Sequence, residues 1–153
     1  MRFLRILIPA SILLMFASLG SSQEHWTEGP VWSIDLIRTA DGHFDDYMKY
    51  LRQNLLVVNN EAKKQGLILD FKVFVKNPTG PNDWDVALAT LYPSYGKALD
   101  YSKADEEKYD AISAAQYKTA DRDKQRSAIA YRLSWRTYLG TDMAREVNLK
   151  PVQ

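Results

Sequence analysis

ILDFKVFVKNPTGPNDWDVALATLY, residues 68 to 92, holds two runs of alternating residues around a loop of Gly, Pro, Asn and Asp. In the first run Leu69, Phe71, Val73 and Val75 alternate with Asp70, Lys72, Phe74 and Lys76, so one pleat face is apolar and the other mostly polar. In the second, Val86, Leu88, Thr90 and Tyr92 alternate with Asp85, Ala87, Ala89 and Leu91. The connection from Asn77 to Asp83 is too long for a two-residue turn, and Pro78 and Pro81 cannot donate to a ladder. The stretch therefore predicts a β-hairpin with a protruding tip. Asn77-Pro78-Thr79 is no glycosylation acceptor, because proline occupies its middle position.

Upstream of the hairpin, Trp32, Ile34 and Leu36 alternate with Ser33, Asp35 and Ile37, which predicts a strand over 31–39. Asp41-Gly42 turns the chain. Phe44, Tyr47, Met48, Leu51, Leu55, Val58 and Ala62 then recur at three and four spacing and form one helical stripe. Asp45 and Asp46 in its first turn, Lys63 and Lys64 in its last and Gly66 beyond suit the helix dipole and a left-handed cap. Downstream, the stretch from Ser102 to Asp142 is longer than one crossover helix requires and predicts two. The first spans about 105–116 with Tyr109, Ile112 and Ala115 inward, and the second about 121–139 with Ala128, Tyr131, Trp135 and Tyr138 inward and Gly140 as its cap. Arg145, Val147 and Leu149 alternate with Glu146, Asn148 and Lys150 and close the chain as a short strand before Pro151.

This order is α+β, a ferredoxin-like βαββαβ with an extra helix before the last strand. Right-handed crossovers place the helices on one face of a four-stranded antiparallel sheet. The other face has no cover from its own chain, and a second copy is the expected one, making a homodimer.

Residues 1–22 read as a cleaved secretory signal: Arg2 and Arg5 lead, Ile6 to Leu19 are apolar, and Ser18, Gly20 and Ser22 offer small residues for cleavage. The apolar run is short for a membrane span and carries Pro9, so an exported protein, periplasmic or secreted, is expected, with no membrane attachment after cleavage. Residues 23–30 read as a loose segment and residues 31–150 as a single ferredoxin-like domain. Loss of Arg2 and Arg5 leaves 18 basic against 19 acidic residues and turns the formal charge from +1 to −1, which gives no electrostatic footprint for nucleic acid. The absence of cysteine excludes disulfides, thiolate chemistry and a lipid-bearing cysteine.

If the apolar rows of the hairpin and of the Trp32 strand meet the helices, then Ser33, Asp35, Asp70, Lys72, Phe74, Lys76, Glu146 and Asn148 share the opposite face. There Asp35 or Asp70 can serve as a general base and Lys72 can anchor an anionic ligand; equally, the same charges can form a wet sheet face or set a dimer register. His43, one of two histidines, suits an imidazole acid or base, an axial haem ligand, or a plain helix-start residue. Tyr131 and Trp135, with Arg132 and Arg136 alongside, form either an aromatic wall for a flat ligand or ordinary core with a solvated cationic edge. The candidate catalytic residues are thus Asp35, His43, Asp70 and Lys72, and the candidate ligand-binding residues Phe74, Lys76, Tyr131, Trp135, Glu146 and Asn148. No metal is expected, because no ligand spacing holds histidines together, and no cofactor is named by any motif.

Residues 31–150 resemble the dimeric α/β-barrel superfamily, which includes antibiotic-biosynthesis-monooxygenase-like, NIPSNAP-like and EthD-like proteins. The resemblance rests on the Trp32-Ser-Ile-Asp-Leu-Ile-Arg38 strand, the Gly42-His43-Phe44-Asp45-Asp46-Tyr47 helix start, the Asp70 to Tyr92 hairpin and the Arg145-Glu-Val-Asn-Leu149 strand. It implies two sheets closed face to face into a barrel, in families that range from cofactor-free oxygenases and haem enzymes to proteins of no known activity. The expected function is a homodimeric binding or structural module, with a small apolar or aromatic molecule as a possible ligand. The alternative is a small-molecule enzyme, an oxygenase or isomerase acting on the open sheet face.

Overall fold

Strands β1 (Trp26–Thr39), β2 (Asp70–Val75), β3 (Val86–Tyr92) and β4 (Arg136–Leu149) form one antiparallel sheet in the order β2-β3-β1-β4 in a computed structural model that describes residues 24–152. The order is consistent with a ferredoxin-like arrangement. The expected signal, residues 1–22, lies outside the described residues. The helical segments are α1 (Phe44–Tyr50), a π-turn (Leu51–Leu55), α2 (Leu56–Lys64), α3 (Tyr95–Leu99), α4 (Lys103–Tyr117), α5 (Arg122–Ile129) and a 3₁₀ turn (Ala130–Trp135). Helices α1, α2 and α4 and the π-turn bury Tyr47, Tyr50, Leu51, Ala62 and Ile112 in two clusters that include or border Ile37, Val73, Val86, Phe71 and Tyr92 of the sheet. Each fully buried aliphatic side chain of this kind contributes roughly 1.5–3 kcal/mol.

Which row of β1 meets that layer is settled by pairing. Ser33 lies opposite Thr90, Asp35 opposite Leu88 and Ile37 opposite Val86, and Leu88 and Val86 lie opposite Val73 and Val75 of β2. Val31 and Ile37 are 0% exposed, so the odd-numbered row of β1 faces the helices. Trp32, Ile34 and Leu36 therefore point to the open side, the reverse of the placement expected from the sequence. Ser33 and Asp35 do not share a face with Asp70 and Lys72. The physical reason is that β1 is apolar on both rows, and Val31 and Ile37 match the buried rows of β2 and β3 while Trp32 and Ile34 do not.

Two bulges set how β1 and β4 run together. Between Glu28–Val147 and Val31–Arg145 the ladder skips Gly29 and Pro30 on β1. A bulge tolerates the missing proline donor. A Cβ on Gly29 would meet the Glu146 carbonyl oxygen at 2.9 Å, so only glycine admits this approach of the two strands. The 23–30 segment read as loose is thus mostly strand, because Trp26, Thr27 and Glu28 find partners in Leu149, Asn148 and Val147. The second bulge lies where Leu36 faces Gly140 and Ile37 faces Tyr138, leaving Leu139 unpaired; Gly140 takes φ +147° there.

The helix expected over 121–139 ends at Ile129, and β4 begins at Arg136, so Tyr138 and Gly140 belong to the sheet. The spacing of Tyr131, Trp135 and Tyr138 fits a helix, but Arg136 and Thr137 gain ladder partners in Thr39 and Arg38. Pairing with a long strand outweighs helical periodicity in a segment whose Thr and Tyr favour strands. The helix expected over 105–116 is present as α4, capped by the Ser102 side chain on the Asp105 N–H. In the first crossover the π-turn joins α1 to α2; Tyr50, three residues after Tyr47, is buried beside it, while Phe44 is 38% exposed.

At the end of β1, Thr39 N–H donates to Asp85 Oδ1 at 2.9 Å, the Thr39 hydroxyl donates to Asp85 Oδ2, and Asp85 N–H donates to the Ile37 carbonyl at 3.0 Å. Both side chains are nearly buried, at 6% and 8% exposure. Asp85→Ala leaves the Thr39 N–H and hydroxyl buried without partners and is expected to lower stability by about 1–3 kcal/mol. Urea unfolding of the variant checks this, and a midpoint unchanged from the parent would contradict the role given to Asp85.

Candidate functional site

The open face of the sheet is built in rows across the strands. Phe74, Ala87, Leu36 and Gly140 form one row, Lys72, Ala89, Ile34 and Asp142 the next, and Asp70, Leu91, Trp32 and Ala144 the third. The middle is apolar, with Phe74 47% exposed and Ala87 and Ala89 closed in by larger neighbours. Charges rim it at one end. Trp32 Nε1 donates to Glu146 Oε1 at 2.6 Å, and the Lys72 ammonium sits 5.1 Å from the Trp32 ring centroid. Lys63 Nζ donates to Asp70 Oδ1 at 2.7 Å, and Lys72 Nζ lies 3.9 Å from Asp70 Oδ2. The Lys63 contact, helped by the Phe71 N–H, holds the Asp70 carboxyl below its ordinary range. Asp70 is therefore a salt-bridged carboxylate and a poor proton acceptor.

On the helix side, aromatic rings and guanidinium groups meet at the end of the helical layer. The His43 ring stacks against Trp135 at 6.1 Å, Tyr131 meets Trp135 edge-on at 4.8 Å, and Tyr50 meets Tyr131 edge-on at 6.1 Å. Arg132 donates to the Tyr50 hydroxyl and lies 5.3 Å from that ring's centroid, while Arg136 lies 5.9 Å from the centroid of Tyr47. The Nε atoms of both arginines are buried without hydrogen-bond partners. Burial pushes the Tyr47 hydroxyl up to about 12, although Arg136 and Arg132 pull the other way. At neutral pH the phenol stays protonated, so this corner holds packed donors and offers no tyrosinate base. Beside it, the Thr141 hydroxyl donates to Asp35 Oδ1 at 2.5 Å and shares a 2.5 Å hydrogen bond with the Tyr138 hydroxyl.

The residues proposed from sequence thus divide among three places. Asp70, Lys72, Phe74, Glu146 and Asn148 share the open face, as expected. Asp35 lies on the other face, joined to Thr141 across the β1–β4 ladder. His43, Tyr131 and Trp135 come together as one aromatic group, with His43 Nδ1 3.0 Å from Asp46 Oδ2. Lys76 belongs to the hairpin tip, bonded to Asp83 at 2.7 and 2.8 Å and set 4.4 Å from the Trp84 ring centroid. Among the described residues no three His, Asp or Glu side chains converge to hold a metal ion. Sequence reasoning missed Leu36 and Ile34 as surface residues and Tyr50 as a core partner of Arg132. The signal available for the first was the presence of apolar residues on both rows of one strand, which a sheet with a single buried face does not need.

No family model matches the sequence, and no curated protein is significantly similar to it.

The tyrosines of both core clusters give the fold a pH signature. Burial pushes Tyr47 and Tyr117 up to about 12 each and raises Tyr92 and Tyr109 as well. The folded state thus holds these phenols protonated beyond the ordinary value of 10. Their contribution to stability is whole below pH 10 and is lost as pH rises through about 12. Alkaline spectrophotometric titration is expected to show an exposed group of tyrosines ionising first and a second group only as the protein unfolds; a single unperturbed step would contradict the packing described.

Proposed function

We propose that the protein is an exported, homodimeric binding or structural module whose two open sheet faces pack on one another, in the manner of the dimeric α/β barrels its sequence resembles. The observation that carries this reading is the apolar centre of the uncovered face: Leu36, Ile34, Phe74, Ala87 and Ala89 lie in adjoining rows. A soluble monomer with a wet sheet face alternates apolar and polar rows, whereas this face places its charges at the rim, as a protein–protein interface does. The mixed signs of Lys72, Asp142 and Glu146 suit a self-complementary, two-fold contact, in which each charge can meet its opposite on the other copy. Export rests on the apolar leader read from the sequence.

Catalysis on this face finds less support. Asp35 points away from Lys72, and Asp70 is occupied by two lysines. A small aromatic or apolar molecule held against Trp32 and Phe74 is the form of ligand binding that the face favours, since both rings line it without a competing buried charge.

Light scattering on residues 23–153 is expected to give twice the chain mass at about 1–100 μM, since assembly is set by mass action. Leu36→Glu puts a carboxylate in the middle of the interface and is expected to yield a monomer with an unchanged far-ultraviolet circular dichroism spectrum. A monomeric mass for the parent chain across the same range would overturn the reading.

A further inference from the structure

The charged contacts at the Trp32 end of the open face are closed within the chain, whereas two charged side chains elsewhere on that face are not. Ile37 faces the helices, so Arg38 turns to the open side, in one row with Thr137 and Lys76. Its neighbour on β3, Asp85, has both carboxylate oxygens taken by Thr39. Among the described residues the Arg38 side chain has no hydrogen bond or ion pair, and its Nη1 is buried without a partner. Asp142, opposite Ile34 on the same face, has no side-chain partner either. The neighbouring carboxylates Glu146 and Asp70 are held by Trp32 and by Lys63. Arg38 and Ile34 stand four residues apart on β1, roughly 13 Å at the rise of a strand, so Arg38 and Asp142 of one chain do not meet.

We infer, resting on the open-face dimer proposed above, that Arg38 of one copy pairs with Asp142 of the other, twice, about a two-fold axis that crosses the strands over the Leu36–Gly140 row. A two-fold axis that turns one open face onto another lies in the gap between the sheets and runs either across the strands or along them. Across the strands, it stacks β1 on β1 in opposite directions. Leu36 stands midway between Arg38 and Ile34, so an axis over Leu36 lays the Arg38 row on the row of Ile34 and Asp142, and symmetry supplies the second pair. Gly140 sets no side chain beside Leu36, and the apolar row of Phe74, Ala87 and Leu36 meets its own copy. Packed sheets lie about 10 Å apart, a gap that an arginine and an aspartate reaching from opposite sides close between them. Lys72 then faces Lys76, whose ammonium already holds Asp83 at 2.7 and 2.8 Å, so it meets a neutral pair. Other axes meet like charges. One along β1 would set Arg38 against Arg38, and one over the Ile34 row would set Asp142 against Asp142, each a repulsive contact inside the interface.

The test follows dimerisation of the chain 23–153 by sedimentation equilibrium. Arg38→Glu and Asp142→Arg each set like charges together in both contacts, and each alone is expected to weaken the dimer by about tenfold or more. Mixed one to one, the two variants form a heterodimer in which both contacts hold opposite charges. The expected result is dimer mass at the concentration where the parent dimerises, with one copy of each variant in the native mass spectrum. Single variants that dimerise as tightly as the parent would overturn the inference, and so would a mixture that stays monomeric while both variants keep the parent's circular dichroism spectrum. Asp142 is exposed on the edge strand β4, so Asp142→Arg tests the pairing even where Arg38→Glu fails to fold. A parent chain that is itself monomeric overturns the open-face dimer and this pairing with it. A parent dimer that Leu36→Glu splits and Asp142→Arg leaves intact overturns the pairing alone.

Discussion

The register of β1 is the constraint on which the rest of the molecule depends. Side chains along a strand alternate with a period of two, so a slip of one residue would send Ile37 to the open side and Leu36 into the helices. Three local devices hold the register where it is. Gly29 and Pro30 bulge where β4 approaches within a distance that only glycine admits, Leu139 and Gly140 bulge opposite Leu36 and Ile37, and Asp85 accepts two hydrogen bonds from Thr39, the last residue of β1. Given that register, Ile37 joins Tyr47, Tyr50, Leu51 and Val86 in one core cluster. The open face is then what remains: the even-numbered row of β1 and the residues beside it.

The same constraint decides where chemistry can lie. With the odd row turned to the helices, Asp35 reaches Thr141 and stands apart from the lysines of β2. The open face keeps its linked charges at one end, where Glu146, Trp32, Lys72 and Asp70 form a chain of contacts from β4 across to β2. Toward the other end Leu36, Ala87 and Phe74 leave an apolar surface. A face of this kind gains by being covered, and its burial would supply the main driving force for the dimer proposed above. The helix side, by contrast, spends its aromatic rings and guanidinium groups on internal packing, with Arg132 on Tyr50 and Arg136 on Tyr47.

The hairpin was legible in the sequence because its two runs alternate cleanly, and Phe71 and Val73 do face the core as their pattern implies. The helical stripe was legible for Tyr47, Leu51 and Ala62, whereas Tyr50 lay beside the stripe, three residues after Tyr47, and its burial shows that the buried side of α1 is wider than the stripe. The facing of β1 was not legible, since Val31 and Ile37 compete with Trp32, Ile34 and Leu36 for the core and only the partners in β3 break the tie. The start of β4 was hidden for a related reason. Tyr131, Trp135 and Tyr138 have helical spacing, yet the segment from Arg136 onward is drawn into the sheet by the length of β1 available to pair with it. Of the candidate site residues, those on β2 and the end of β4 fell on one face as read, while Asp35 followed β1 to the other.

Side-chain methyl to aromatic nuclear Overhauser contacts test the register most directly. The account predicts contacts from the methyl groups of Ile37 and Val86 to the rings of Tyr47 and Tyr50, and from no methyl group of Ile34 or Leu36 to those rings. Contacts from Leu36 or Ile34 to Tyr47 would contradict it, because they would place the even row of β1 under the helices and take the apolar face away.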